Sequence, residues 1–400
     1  MVISESMQDL VKNSSAIRKM FEEGIEMAKV RGAENVFDFS LGNPSVPAPA
    51  KVDEAIRKIL DSEDSLRVHG YMPNAGFPDV RTKIAGYLNK RFGQNFTQEN
   101  IVMTVGAAGG INCVLRALIN PGDEIIAFAP FFGEYRSYAK NFGGNLVVVP
   151  PDTEHFQLKM EEFLPLVNEK TRCVILNSPN NPSGSVYSAE TLDRFQEVLT
   201  EADRKAGHPI FVISDEPYRE LVYDGVEVPY MPDHIRNTIV GTSFSKTLSL
   251  PGERIGYLTI PSAVEGFEEL VPAIVCANRT LGYVNAPSLF QLAVAECLEE
   301  KTNIAAYDAN RRLIYESLVS YGFECVKPEG AFYLFMKSPV GNEAEFVEKA
   351  KEFGIIMVAA SSWGCPGYVR IAYCVKYDMI ERSLPAFRKL AEFYFGKEQK

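Results

Sequence analysis

Four histidines, one tryptophan and no two cysteines at CxxC spacing set the first limits on this 400-residue chain. His69, His155, His208 and His234 lie far apart, and the seven cysteines run from Cys113 to Cys374 without metal-ligand spacing, so no metal site is expected. An odd number of unpaired cysteines reads as reduced thiols rather than a disulfide frame. Long apolar runs are missing too: nothing reaches the roughly eighteen residues of a membrane span. The first residues, MVISESMQDLVKNSSAIRKMFEEG, carry acids where a secretory signal needs a basic start and an apolar run. A cytoplasmic protein without a membrane partner is the expectation. Positive charge is also short. With 41 Lys and Arg against 52 Asp and Glu, a net charge of −11 and no basic patch, the chain would repel a phosphate backbone, so no nucleic-acid partner is expected.

What is present is an ordinary globular composition, 46% hydrophobic and 23% charged, in a chain long enough for two joined domains. From about residue 100 to 260 short apolar runs alternate with Gly/Pro/Asn/Ser breaks and helical patterns. The runs are NIVMTVG, DEIIAFAP, NLVVVPP, RCVILNSP, PIFVISDEP, NTIVGTSFS and RIGYLTI. Unbroken apolar runs of this length are strands buried on both faces, and the helices between them predict an α/β domain with a mostly parallel sheet. One helix follows Gly106 and ends before Pro121-Gly122; another opens at Ser188 and closes at Gly207. Residues 303–400 read as helix, three strands (GAFYLFMK, IIMVAAS, YVRIAYC) and a helix opened by an Asp378/Glu381 capping box. A helix over 14–31, with Ile17, Phe21 and Ala28 on one stripe, is expected to pack on this smaller α+β unit. The division is 1–50, an N-terminal segment; 51–290, a large domain; and 291–400, a small domain.

In an open parallel sheet ligands sit outside the carboxyl ends of the strands. Those positions hold Gly106-Ala107-Ala108, Pro130-Phe131-Phe132, the stretch Asn177 to Gly184, Asp215-Glu216-Pro217-Tyr218 and Ser243-Phe244-Ser245-Lys246. Gly106 opens a helix whose free N–H groups favour an anion, and Ser243, Ser245 and Arg254 add hydroxyls and a guanidinium fork, which suits a phosphate. A dinucleotide fingerprint is the rival reading of VGAAGG, but the next strand, IIAFAP, ends in Ala-Pro where a ribose-binding acid should stand. A strand-end lysine in apolar surroundings beside a phosphate site can become a carbonyl nucleophile. Lys246 is that residue.

SFSKTLSLPGERIGY resembles the cofactor-lysine motif of the class I/II aminotransferases, pyridoxal-phosphate enzymes of fold type I. LGNPSVP, GYMPNAGFPDVR, VGAAG, APFF, NSPNNPSG, SDEPY, GAFYLF and GCPGYVRI follow in the family's order over nearly the whole chain. The resemblance implies that Lys246 carries pyridoxal 5′-phosphate as a Schiff base and moves the proton. It also implies that Asp215 pairs with the ring nitrogen, that Tyr218 and Asn181 bond the ring's phenolic oxygen, and that Phe132 stacks on the ring. Phe132 stands where some members have Trp or Tyr, keeping the stacking without a polar tip. Gly106, Ala107, Ala108, Ser243, Ser245 and Arg254 would hold the phosphate, together with Tyr71 crossing from the other subunit of a homodimer. Arg370 and Gly42 would hold the substrate's α-carboxylate. Trp363, where the family often has Phe, is core or pocket wall. The implied activity moves the amino group of an L-amino acid to a 2-oxo acid, with aspartate or glutamate favoured. For the distal carboxylate Arg279 is the first candidate, with Arg116 and Arg136 beside it. Tyr135, Tyr257, Tyr283 and Trp363 would suit an aromatic or broad-range enzyme instead, and a C–S β-lyase would use the same lysine and aspartate.

Overall fold

The structure is a computed structural model describing residues 2–12 and 16–396. Seven strands form one sheet in the order Ile101–Thr104, Gly256–Thr259, Thr238–Ser243, Phe211–Asp215, Thr171–Asn177, Glu124–Phe128 and Asn145–Val149. Its last five strands run parallel; Gly256–Thr259 runs antiparallel to both of its neighbours.

The apolar runs are continuous because both faces of this sheet are covered. Side chains alternate across a strand. Ile125, Ala127, Cys173, Ile175 and Ile213 therefore pack with Ile111, Val114 and Leu115 of the helix Gly106–Leu118 and with Ile274 of Phe267–Thr280. Ile126, Phe128, Val174, Leu176 and Val212 pack on the other face with Leu192, Phe195 and Leu199 of the helix Ala189–Ala206. The Ser188 side chain accepts from Thr191 N–H at the start of that helix, and Gly207 ends it at φ 79°.

A four-stranded antiparallel sheet, Val358–Ala359, Tyr368–Ala372, Tyr333–Lys337 and Cys325–Val326, forms the second layer system. The helices Ile304–Ser320 and Tyr377–Phe395 pack against each other over it, burying Ile314, Leu318, Phe387 and Leu390 in its core. The N-terminal segment joins this core: Phe37–Asp38 pairs in parallel with Ile355–Ile356, Phe39 N–H donates to Ile356 O, and Ala372 N–H donates to Phe39 O. That course carries Ser40, Leu41 and Gly42 towards the large sheet.

Three local expectations change. Tyr377 opens the last helix with Lys376 at the cap and no side-chain cap bond, so the Asp378/Glu381 box does not form; Asp378 faces Arg382 at 3.6 Å instead. A further helix, Glu343–Glu352, lies between two of the small strands. Its charged sequence hides it, but Asn342 caps it by accepting from Ala344 and Glu345 N–H, and Phe346, Val347 and Ala350 anchor it. IIMVAAS is two short strands belonging to different sheets. The N-terminal helix spans Ala16–Arg31; the first two residues of the expected 14–31 helix lie outside the described residues.

Candidate active site

Strand register builds the floor of the site. Asn177 is opposite Asp215, Asp215 opposite Gly241, and Ser243 opposite Gly256, so the carboxyl ends of three parallel strands reach one level. After Ser243 the chain turns directly into the short helix Phe244–Thr247, which lifts Lys246 over the sheet edge. These ends open into a cavity of about 580 Å³, in the range of small-molecule sites.

Asp215 lies at the cavity floor, buried. Its Oδ2 accepts from Tyr135 Oη at 2.6 Å, while Oδ1 has no partner. Burial drives the carboxyl up to about 7, against the bond from Tyr135 and with a push from Glu216. A buried acceptor with one free oxygen calls for a donor in the cavity, and a protonated ring nitrogen supplies one. Asn177 Nδ2 donates to Asp215 O (2.7 Å), and Asn177 Oδ1 accepts Asn181 N–H (2.7 Å), tying the Asn177–Asn181 turn to the aspartate strand.

At one end the cavity has an anion cradle. Gly106 takes φ +68° at the start of its helix, and a Cβ there would come to 3.0 Å from Arg254 Nη2. Only glycine lets the guanidinium close on the helix N-terminus. Ala107, Ala108, Ser243, Ser245 and Arg254 all line the cavity.

Lys246 Nζ donates to Gly42 O at 2.8 Å and stands 5.3 Å from the Phe332 ring centre. Loss of solvent lowers its ammonium to about 8; Cys374 opposes that shift and Arg370 and Arg254 assist it. A fraction of the amine is thus neutral, and nucleophilic, near neutral pH.

The opposite wall belongs to Arg370, 1% exposed. Nη1 donates to Asn181 Oδ1 (2.9 Å) and Nη2 to Ser40 O (2.6 Å), and the guanidinium lies between the rings of Tyr333 (4.5 Å) and Trp363 (4.8 Å). Nε has no partner. Five N–H donors with two engaged leave room for a carboxylate.

Most residues singled out in the sequence thus meet: Gly42, Ala107, Ala108, Phe132, Asn181, Asp215, Tyr218, Ser243, Ser245, Lys246, Arg254 and Arg370 line one cavity, with Gly106 behind its cradle. Of the two phenylalanines, Phe132 faces the cavity and Phe131 is core. Tyr71 is 92% exposed and stands outside the cavity of its own chain. Arg279, Arg116 and Arg136 are exposed and line none of it: Arg279 rests against Cys276 Sγ, and Arg136 lies over Phe131. The aromatic set is corrected too. Tyr135 is behind Asp215, Tyr257 is buried beside Phe244, Trp363 backs Arg370, and Tyr283 lies over Gly109 of the helix after the cradle. None of the four lines the cavity. The residues not foreseen are Arg18 and Phe21 from the N-terminal helix, Glu134, Tyr138 and Tyr333. Tyr333 stands inside GAFYLF and Glu134 two residues past Phe132, so motif neighbours were the available signal.

The anion cradle, the strand-end lysine and the buried carboxylate with one free oxygen suit a phosphorylated, carbonyl-bearing ring with a protonated nitrogen, the chemistry of pyridoxal-phosphate enzymes. Residues 34–387 match the family model described as aminotransferase class I and II, and the chain belongs to that family, a pyridoxal-phosphate-dependent one. An amino transferase from Eubacterium rectale has the same fold with TM-score 0.96 and 47% identity, over 99% of this chain and 100% of that one. An aspartate aminotransferase from Pyrococcus abyssi is 31% identical over 396 residues, 96% of each chain. Aromatic-amino-acid aminotransferase 2 from Thermococcus litoralis is 30% identical over 392 residues, 94% of this chain and 96% of that one. The protein is a pyridoxal-phosphate-dependent aminotransferase.

Proposed function

We propose that the chain takes the amino group from an acidic amino acid, aspartate or glutamate, and passes it to a 2-oxo acid such as 2-oxoglutarate. The observation that carries the substrate class is Arg18. Among the described residues lining the cavity the cations are Arg18, Lys246, Arg254 and Arg370. The last three have the duties below. Arg18 stands on the N-terminal helix at the cavity and, among the described residues, pairs with the exposed Glu22 at 3.4 Å; such a pair is weak enough to exchange for a substrate carboxylate. The name of the Pyrococcus relative agrees. A second reading, aromatic donors, draws on Phe21, Phe132 and Tyr138 in the same lining and on the name of the Thermococcus relative. No residue requires the β-lyase alternative.

Bound pyridoxal phosphate supplies a carbonyl carbon and an electron-withdrawing ring. In this reading Asp215 keeps the ring nitrogen protonated, Tyr218 and Asn181 bond its phenolic oxygen, and Phe132 covers its face. Gly106, Ala107, Ala108, Ser243, Ser245 and Arg254 bind its phosphate. Arg370 grips the α-carboxylate and the Gly42 backbone closes on it. Lys246 Nζ, held over the floor, takes the proton from the amino acid's Cα and returns it elsewhere as general base and acid. Two copies share their sites: Tyr71 of each reaches the other's phosphate, and Arg279 the other's substrate. The exposure of Tyr71 and of nearby Leu66 (81%) supports a homodimer. Residues 51–290 hold the cofactor, and 291–400 with the segment 1–50 form the substrate wall. Seven free cysteines suit a cytoplasmic enzyme, and among the described residues no helix is long and apolar enough to cross a membrane.

The test is a donor panel. Cofactor-loaded protein mixed with aspartate, glutamate, phenylalanine or tyrosine, without acceptor, should lose its visible band fastest with the two acids. A faster rate with phenylalanine and tyrosine would replace this reading with the aromatic one.

A further inference from the structure

Tyr333 belongs to the four-stranded sheet yet touches three groups of the site. Its hydroxyl is 2.7 Å from Tyr218 Oη, its ring lies under the Arg370 guanidinium at 4.5 Å, and a Cβ on Gly42 would come to 2.2 Å from its oxygen. It is 2% exposed, and the bond to Tyr218 crosses 115 residues of sequence. Tyr218 is buried too.

We infer that Tyr333 is a positioning residue for the cofactor: it donates its O–H to Tyr218 Oη and thereby strengthens the O–H that Tyr218 offers to the ring's phenolic oxygen. Two hydroxyls in contact carry two protons and one mutual bond, which leaves one proton for a third acceptor in the cavity. A hydroxyl that accepts while it donates is a better donor, and the low local dielectric enlarges the effect. Burial lifts Tyr333 to about 12 and Tyr218 well above 10, so both stay protonated over the working range. Arg370 and Cys374 are the other titratable groups acting on both hydroxyls, and Arg370 and Arg254 act in turn on Lys246. Asp215, Glu134, Tyr138 and Arg18 complete the ionisable lining. The Arg370 contact does not need the hydroxyl, so Tyr333→Phe separates the two duties: it keeps the ring under the guanidinium and removes only the donor.

The inference rests on the assignment of Tyr218 to the phenolic oxygen, and the experiment separates the two. The readout is the pH midpoint of the bound cofactor's visible absorption change in the holoenzyme, without substrate. A weaker bond to the phenolic oxygen leaves more negative charge there to hold the proton of the adjacent nitrogen, so the midpoint rises. Tyr333→Phe should raise it by about half a unit, Tyr218→Phe by more, and Tyr333→Phe should add nothing in the Tyr218→Phe background. Replacing Tyr333 by 3-fluorotyrosine, a near-isosteric phenol with a stronger O–H donor, should lower the midpoint and serves should the Phe variant not fold. An unchanged midpoint in both Tyr333 variants, or a shift that persists without the Tyr218 hydroxyl, overturns the inference. An unchanged midpoint in Tyr218→Phe overturns the assignment and the inference together.

Discussion

The floor and the wall of the cavity are built by different means. The floor comes from one sheet: Asn177, Asp215 and Ser243 end adjacent parallel strands, and backbone register fixes their spacing before any side chain is chosen. The wall comes from four places, the N-terminal helix of Arg18, the segment around Gly42, the strand of Tyr333 and the strand of Arg370, held by cross-contacts such as Arg370 to Ser40 O and Asn181 Oδ1. A floor set by register holds a rigid ring; a wall set by side chains from separate segments can adjust to each substrate.

Substitutions on the two sides should therefore fail differently. Lys246→Ala, on the floor, removes both nucleophile and proton carrier, and half-reaction rates should fall by at least about 10⁴-fold, read by stopped-flow absorption. Asp215→Asn leaves Tyr135 an acceptor but removes the charge under the ring nitrogen; the rate should fall by about 10³-fold with the amino acid's affinity little changed. Arg18→Ala, on the wall, should slow aspartate and glutamate about tenfold and leave phenylalanine alone, sharpening the division between acidic and apolar donors. The smallest effect is one of pH. Lys246 has a folded-state value lowered to about 8, so its reactive neutral form gains as pH rises; cofactor capture by the cofactor-free protein should speed up to about pH 8 and then level off. A rate flat from pH 6 to 9 would contradict it.

The same contrast explains what the sequence made legible. Lys246, Asp215 and Gly106 were visible because each directly follows a buried apolar run, and position after a run is position at the sheet edge. Tyr333 lay inside a recognised motif, but its contact with Tyr218 depends on how one sheet crosses another, which local pattern does not encode. Arg18 sits on a charged helix where an arginine has no distinguishing neighbour. Tyr135, one of four aromatics that would suit a broad-range enzyme, turns behind Asp215 at the start of the helix Tyr135–Lys140, a direction its place three residues past Phe132 does not reveal. The helix Glu343–Glu352 escaped because four of its ten residues are Glu and two are Lys, leaving Phe346, Val347 and Ala350 as the buried apolar anchors to carry the period.

The division of labour is tested most directly by Arg370→Lys. Lysine keeps the charge but loses the fork and the stacking between Tyr333 and Trp363. Titrating aspartate into the cofactor-loaded variant while following the visible band should show affinity for the amino acid weakened about 100-fold, with cofactor affinity and the unliganded spectrum like those of the parent chain. Loss of the cofactor on the same substitution, or unchanged affinity for aspartate, would contradict the separation of floor from wall.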